Sequence, residues 1–267
     1  MTLDGRPRRG STVAGVTAFS DEHGDGVLAR AAALLDAFDD EHRELTLAAL
    51  VGRSGLPRST AHRMAAQMLA LGWLDKPDGR YRIGNRLFAL SGLAPVRHTL
   101  REAVLPFLQD LYEATRSTVQ LGVLDHDRVL IVEKITGHRR MPMLTQVGGQ
   151  IPAYCSSLGR AILAHSDADA VDAVLAGALP PRTARTLTEP DAIRREIASV
   201  RQRGYAFDHE EGNAGISCIG APIFGPLGEI VAALSVTGPT TVVRPDRLAS
   251  AVRMAAAAAS RVHLRRL

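Results

Sequence analysis

Two helical stripes separated by a Gly-x-Pro break do most to limit the folds open to this chain. In "TLAALVGRSGLPRSTAHRMAAQML" the apolar residues Leu47, Leu50 and Val51 form one stripe. Ala61, Met64, Ala65, Met68 and Leu69 form the next. Thr46 is placed to N-cap the first helix, and Ser54-Gly55 to end it. Pro57 suits the first turn of the second, where its missing N–H costs nothing.

A third stripe lies upstream, in Val27, Leu28, Ala31, Leu34, Leu35 and Phe38, and "DDEHRE" breaks it. Downstream, "WLDKPDGRYRIG" reads as two short strands, Trp73-Leu74 and Tyr81-Arg82-Ile83, joined by the turn Pro77-Asp78-Gly79. Strand alternation sets Tyr81 and Ile83 on one face and Arg80 and Arg82 on the other. Three helices followed by a basic hairpin make a winged helix-turn-helix.

Charge is divided along the same boundary. Residues 21–50 hold two Arg against eight Asp or Glu, whereas residues 51–86 hold six Arg and one Lys against Asp75 and Asp78. A basic block of this size in a compact unit is an electrostatic footprint for a polyanion. Arg58, Ser59, His62 and Arg63 share the polar face of the third helix near its start, with Thr60 beside them. Such a helix is arranged for its first turns to meet base edges in a major groove. Arg58 and Arg63 suit guanine or phosphate, Ser59, Thr60 and His62 offer shorter hydrogen bonds, and Arg80 and Arg82 suit phosphates or the minor groove. The competing reading of this unit is a three-helix protein-binding module with a solvated basic face.

Residues 1–25 are rich in Gly, Arg, Ser, Asp and Glu, and are expected to form a disordered arm. The expected divisions are then 26–90 for the winged helix-turn-helix, 91–105 for a linker helix and 106–267 for a second domain. After residue 117 the period changes from helical to alternating. "STVQLGVL", "RVLIVEKI" and "MPMLTQV" read as strands, followed by short helices at "SSLGRAILAH" and "DADAVDAVLAG" and a longer one over 189–203. "ISCIGAPIF" and "EIVAALSVTG" flank a "GPLG" turn, and an Ala-rich helix runs from Pro245. Its alanines suit either a subunit contact or packing on its own sheet. The expectation is an α+β, two-domain chain whose second half is a mixed sheet flanked by helices, with room for a pocket.

No window approaches eighteen apolar residues, and the basic start is not followed by an apolar h-region. Cys155 and Cys218 lie far apart with no metal-ligand spacing, so free thiols in a reducing cytoplasm are expected, with no metal and no membrane. "GISCI" lacks the final Gly of G-x-S-x-G, and phosphate-loop, zinc-protease and dinucleotide motifs are missing. His138, His165 and His209 have no partner at a telling spacing. A catalytic role and a cofactor are therefore not expected. A small-molecule hydrolase, and a sensor acting through a protein partner, are the alternatives.

Taken in order, "GLPRSTAHRM", "DGRYRIGNRL", "GGQIPAYCSSLGRAILA", "RQRGYAFDHEEGNAGISCIGAPIF" and "AALSVTGP" resemble the IclR family of transcriptional regulators from about residue 26 to the C-terminus. The resemblance implies a winged helix-turn-helix, a linker helix and a GAF-like effector-binding domain. It also implies a homodimer or homotetramer on a palindromic operator in double-stranded DNA, with a small metabolite as effector, typically an organic or aromatic acid. Carried onto this chain, the effector site comprises Ile151, Ser157, Leu158, Asp208, Cys218, Ser235 and Thr237, with Met141 and Met143 as pocket wall. Tyr154 and Gly212 depart from the family pattern, with Tyr154 where many members have His.

Ser156 and Ser157 fall at a helix start, where unpaired N–H groups favour a carboxylate, although Ser156 equally suits capping its own helix. Asp208 opposes a simple anion site unless it is protonated, paired or turned away, or accepts a hydroxyl of the ligand. Cys218 on its own reads as a small buried hydrophobe.

Overall fold

The computed structural model describes residues 26–39, 42–93, 95–137 and 145–263. The expected arm at 1–25, together with His138, Met141 and Met143, lies outside them. The chain divides into two compact units between Ser91 and Gly92.

In the first unit α1 (Val27–Leu35), α2 (Leu47–Ser54) and α3 (Arg58–Ala70) precede β1 (Leu74–Asp75), β2 (Arg82–Ile83) and α4 (Asn85–Ser91). The Thr46 hydroxyl caps α2 by accepting the Ala49 N–H at 3.2 Å. Gly55 then ends it in the left-handed region at φ 69°, where a residue without Cβ carries no steric penalty. Pro57 stands just outside α3, and its carbonyl accepts the Ala61 N–H at 2.9 Å. Leu34, Leu50, Ala61, Met64, Ala65, Met68, Leu74 and Tyr81 make one buried cluster.

Leu45 bridges Tyr81 through two backbone hydrogen bonds, which gives the wing a third short edge. Tyr81 is buried, whereas Ile83, expected on the same face, is 41% exposed. Ile83 pairs with Leu74 of β1, but the Leu45 bridge on the other side reaches only as far as Tyr81.

The second unit begins with one helix, α5 (Pro95–Thr115). It continues through β3 (Thr118–Asp125), β4 (Arg128–Ile135), β5 (Gln150–Pro152), α6 (Ser157–Leu163), α7 (Ala168–Ala176) and α8 (Pro190–Arg203). β6 (Ala206–His209), β7 (Ile216–Phe224), β8 (Ile230–Pro239) and α9 (Pro245–His263) complete it. The six strands run in the order β5-β4-β3-β8-β7-β6. Every pairing is antiparallel, not mixed as expected, because β3 with β4 and β7 with β8 are hairpins and the first and last long strands, β3 and β8, lie side by side. Thr145–Val147, the described part of the expected third strand, are not in a strand, and β5 starts at Gln150. β6 was not expected.

Helices cover both faces of the sheet. Val104, Leu108 and Leu111 of α5 and Val252, Ala256 and Ala259 of α9 pack against Val119, Leu121, Ile219, Leu234 and Val236. The buried alanines of α9 thus face their own sheet. On the other face, Leu158, Ala161 and Ile162 of α6 lie over Val129, Ile131 and Ala233. The approach is close. A Cβ on Gly220 would stand 2.6 Å from the Ser157 carbonyl oxygen, and one on Gly159 would stand 2.2 Å from that of Ala153. β6 covers β7 only over Ser217–Gly220. Beyond it, the Phe224 N–H donates to the Ser260 hydroxyl of α9 at 3.0 Å.

Candidate recognition surface and ligand site

α3 separates its residues by chemistry. Ala61, Met64, Ala65 and Met68 are buried, Thr60 is half-buried, and Arg58, Ser59, His62 and Arg63 are exposed. The arginines of this unit are engaged unequally. Arg53 donates to the Ala37 carbonyl and to Asp39, which also accepts from His42. Arg86 donates to the Leu71 carbonyl at 3.3 Å, and the Arg82 Nε lies 3.8 Å from Asp75. Arg58, Arg63 and Arg80 make no side-chain hydrogen bond or ion pair among the described residues. The basic block therefore resolves into arginines that hold the fold and arginines that face solvent on the helix and the wing.

In the second unit the register brings the expected ligand residues into a strip across the α6 face of the sheet. Asp208 pairs with Cys218, and Cys218 with Thr237. One row along, Gly220 pairs with Ser235, and Ser235 with Gln120. Ser157 stands over Gly220, as the close approach of its carbonyl requires. Ile151 and Leu158 lie apart from this strip. Ile151 pairs with Val129 near the sheet edge, and Leu158 packs into the apolar cluster under α6.

Burial governs the chemistry of the strip. The Asp208 side chain accepts the Glu211 N–H at 2.7 Å and the Gly212 N–H at 3.4 Å, both on Oδ1. Burial nevertheless pushes its carboxyl up from 3.8 to about 7, assisted by the negative Glu211 and opposed by Arg160. Cys155 is pushed up to about 12, first by burial and then by the Asp208 charge. Cys218 is raised well above the usual thiol range by the same two causes. Both cysteines are free and protonated at neutral pH. Thr237 Oγ1 lies 3.2 Å from Cys218 Sγ and 3.4 Å from Gln120 Oε1, and its one proton serves one of them at a time. The Ser157 and Ser235 hydroxyls, in residues 2% and 1% exposed, have no hydrogen-bond partner among the described residues. Ser156 instead caps α6 by accepting the Gly159 N–H at 3.1 Å.

Gln120 escaped the sequence reading. In "TVQLGVL" it alternates with core residues and reads as solvent-facing, but helices cover both faces and leave it 4% exposed. The supporting pair Arg160–Glu211 was likewise invisible, because its members are 51 residues apart. Tyr154 donates its hydroxyl to the Pro180 carbonyl, which ties down the segment before α8. A separate cavity of about 530 Å³, bordered by His165, Phe224, Arg253 and Met254, contains none of the expected ligand residues. Among the described residues no cluster of His, Cys, Asp or Glu is able to hold a metal, and no helix is long and apolar enough to cross a membrane.

Comparison with known proteins agrees with both halves of this geometry. Residues 27–78 match the IclR helix-turn-helix domain, and residues 94–264 match the bacterial transcriptional regulator IclR C-terminal domain. The chain is 31% identical to the HTH-type transcriptional regulator KdgR of Escherichia coli over 83% of its length and 86% of that protein. It is 31% identical to the transcriptional repressor IclR of the same organism over 89% of its length and 88% of that protein. Among solved structures, an IclR homolog from Microbacterium hydrocarbonoxydans complexed with 4-hydroxybenzoate superposes with a TM-score of 0.80 at 32% identity, covering 90% of this chain and 99% of that one. With a helix-turn-helix whose recognition face is open and a C-terminal unit built around a polar strip, this chain belongs to the IclR family of ligand-responsive, DNA-binding transcriptional regulators.

Proposed function

We propose that this regulator is a cytoplasmic homo-oligomer that binds a palindromic operator and is released or retained by a small organic acid, without catalytic activity of its own. In this reading residues 26–90 read DNA, 91–105 link, and 106–267 bind the effector and the partner subunit. Arg58, Ser59, Thr60, His62 and Arg63 meet the major groove, and Arg80 and Arg82 hold the flanking phosphates. The observation that carries this reading is the set of exposed arginines on helix and wing, Arg58, Arg63 and Arg80, which engage no other described group.

The effector lies on the strip formed by Asp208, Cys218, Thr237, Ser235 and Ser157. Two buried hydroxyls without partners support this, because buried polar groups are ordinarily satisfied. The similar protein that holds 4-hydroxybenzoate supports an acid of that kind. A route to the linker is also present. Arg101 of α5 donates to Glu133 on β4, and the next residue, Lys134, pairs across the sheet with Gln120. An effector that binds one arrangement of α5 better than another shifts the spacing of two recognition helices, and one that binds both equally regulates nothing.

The test is fluorescence anisotropy of the purified protein on its own upstream DNA and on a scrambled duplex, across a salt series. Preferential binding that weakens steeply with salt is expected. No binding at any salt overturns the reading in favour of a sensor acting through a protein partner.

A further inference from the structure

β6 leaves the edge of β7 uncovered past Gly220, and the cavity bordered by His165, Phe224, Arg253 and Met254 lies against that edge. It shares no residue with the strip. Its volume, about 530 Å³, falls in the range of pockets that hold small organic molecules. The donors along its floor are already used. Pro222 has no N–H, the Phe224 N–H donates to the Ser260 hydroxyl, and that hydroxyl donates to the Ala256 carbonyl at 2.8 Å. One wall is apolar, built from Phe224, Ala257 and Met254, whose side chain is 69% exposed.

Cationic groups gather at the rim. Arg253 of α9 and Arg201 of α8 are exposed, and neither makes a hydrogen bond or ion pair among the described residues. α8 ends at Gly204 with φ 77°, and a Cβ there would stand 3.1 Å from the Arg253 Nε. The missing side chain thus lets the guanidinium lie against the end of that helix. The partial negative charge of a helix C-terminus steadies a cation, yet it leaves every Arg253 donor unused. Burial, with the Arg201 charge second, holds the His165 imidazole below the usual histidine range, so the ring is neutral at neutral pH. Neither ring nitrogen has a hydrogen-bond partner among the described residues, and Nε2 is shut away from solvent. The ring stands edge-on to Phe224, with centroids 4.9 Å apart.

We infer that this cavity is a second ligand site, built for a phosphate monoester with an apolar body. Its phosphate is held by Arg253 and Arg201, and its body lies on Met254, Ala257 and Phe224. Two like charges gathered at one rim repel until an anion joins them, and guanidinium groups match phosphate oxygens two at a time. With both guanidiniums free and His165 neutral, a doubly charged phosphate is favoured over a single carboxylate. The apolar wall and the size of the cavity call for a body beyond the phosphate itself. The unsatisfied imidazole is a further sign that another molecule completes the cavity, because buried polar groups are ordinarily bonded.

Isothermal titration of the full-length protein with phenyl phosphate, methyl phosphate and inorganic phosphate tests the site. Phenyl phosphate is expected to bind about tenfold or more tighter than the other two, from burial of its ring. Arg253→Gln and Arg201→Gln should each weaken it about tenfold. Arg185→Gln, beside Glu210 at the other end of β6, should leave it unchanged. Ala257→Trp, at an exposed position of α9, fills the cavity and should remove the advantage of the phenyl ring. Thermal melts close to wild type separate these losses from unfolding. Binding of phenyl phosphate that survives Arg253→Gln and is displaced by 4-hydroxybenzoate belongs to the strip and overturns the inference. Equal affinity for all three phosphates overturns it too, because the apolar wall then contributes nothing. If phenyl phosphate shows no saturable binding at millimolar concentration, the inference fails and the cavity is left to an acidic segment of a protein partner.

Discussion

Arg160 and Glu211 form a two-pronged ion pair, in which Nη1 and Nη2 each donate to a separate carboxylate oxygen at 2.5 Å. The side chains are 1% and 8% exposed. Arg160 Nε also donates to the Tyr154 carbonyl at 2.9 Å, and Glu211 accepts the Leu187 N–H at 3.1 Å. The pair therefore joins α6 to the segment after β6 that supplies backbone N–H groups to Asp208. Removing one member of a buried pair strands the other charge, at a cost of about 3–5 kcal/mol. Glu211→Ala should lower the thermal midpoint sharply and weaken effector binding with it. A melting curve close to wild type would show that the pair is not holding the loop.

Asp208 makes stability depend on pH in a defined direction. Its folded value of about 7 lies above its ordinary 3.8, so its contribution is fully present below the lower value and is lost as pH rises through the upper. Asp208→Asn retains an oxygen acceptor for the Glu211 N–H and removes the buried charge. The variant should melt above wild type at pH 8, with a gap that narrows below pH 5. The charged and titratable groups around Asp208 are Arg160 from α6, Glu211 from its own loop, Cys155 ahead of α6 and Cys218 from β7.

The arginines of the first unit should separate by assay. Arg58→Ala and Arg63→Ala each cost about 1–3 kcal/mol of operator affinity where they contact a base edge. Arg80→Ala weakens binding to all sequences alike and lowers the salt slope by about one. Arg53→Ala should lower the melting temperature instead, because Arg53 is engaged with Ala37 and Asp39. Anisotropy and melting curves on the four variants test the division, which fails if Arg53→Ala proves the weakest DNA binder without losing stability.

Glu133 offers a test of communication. Glu133→Gln should leave effector affinity near that of wild type while reducing the change in DNA affinity that effector causes, by about 0.5–2 kcal/mol. Equal effector responses in the two proteins would exclude this route to α5.

Gly159 and Gly220 set the clearance between α6 and the sheet. Gly220→Ala places a methyl group where the Ser157 backbone lies, and Gly159→Ala intrudes on Ala153. Each should destabilise by more than the 1–3 kcal/mol usual for an overpacked core, because the obstruction is backbone and cannot change rotamer. Calorimetric melts decide it.

The helix-turn-helix was legible because its signals are local. Thr46, Gly55 and Pro57 each act within a few residues of where they stand. The ligand strip was legible only in part. Asp208, Cys218, Ser235 and Thr237 were reached through family resemblance, and the register then made them neighbours. Gln120, Lys134 and Glu211 were missed because their roles depend on which residue lies across the sheet or across 51 positions of chain. The order of the strands decides this, and no local pattern encodes it. Ile83 failed for a different reason, since alternation alone was taken to set its burial, and the two-strand wing leaves it 41% exposed although it pairs with Leu74.

One consequence follows from the stretch of β7 that extends beyond β6. The N–H groups of alternate residues point the same way along a strand, so the positions that would greet an incoming strand there are 222 and 224. Residue 222 is a proline and has no hydrogen to offer, and the Phe224 hydrogen is already taken by Ser260. This border gives no proton and keeps only its acceptors. Strand addition is thereby disfavoured along it, because an incoming strand finds backbone acceptors there and no free donor at these two positions.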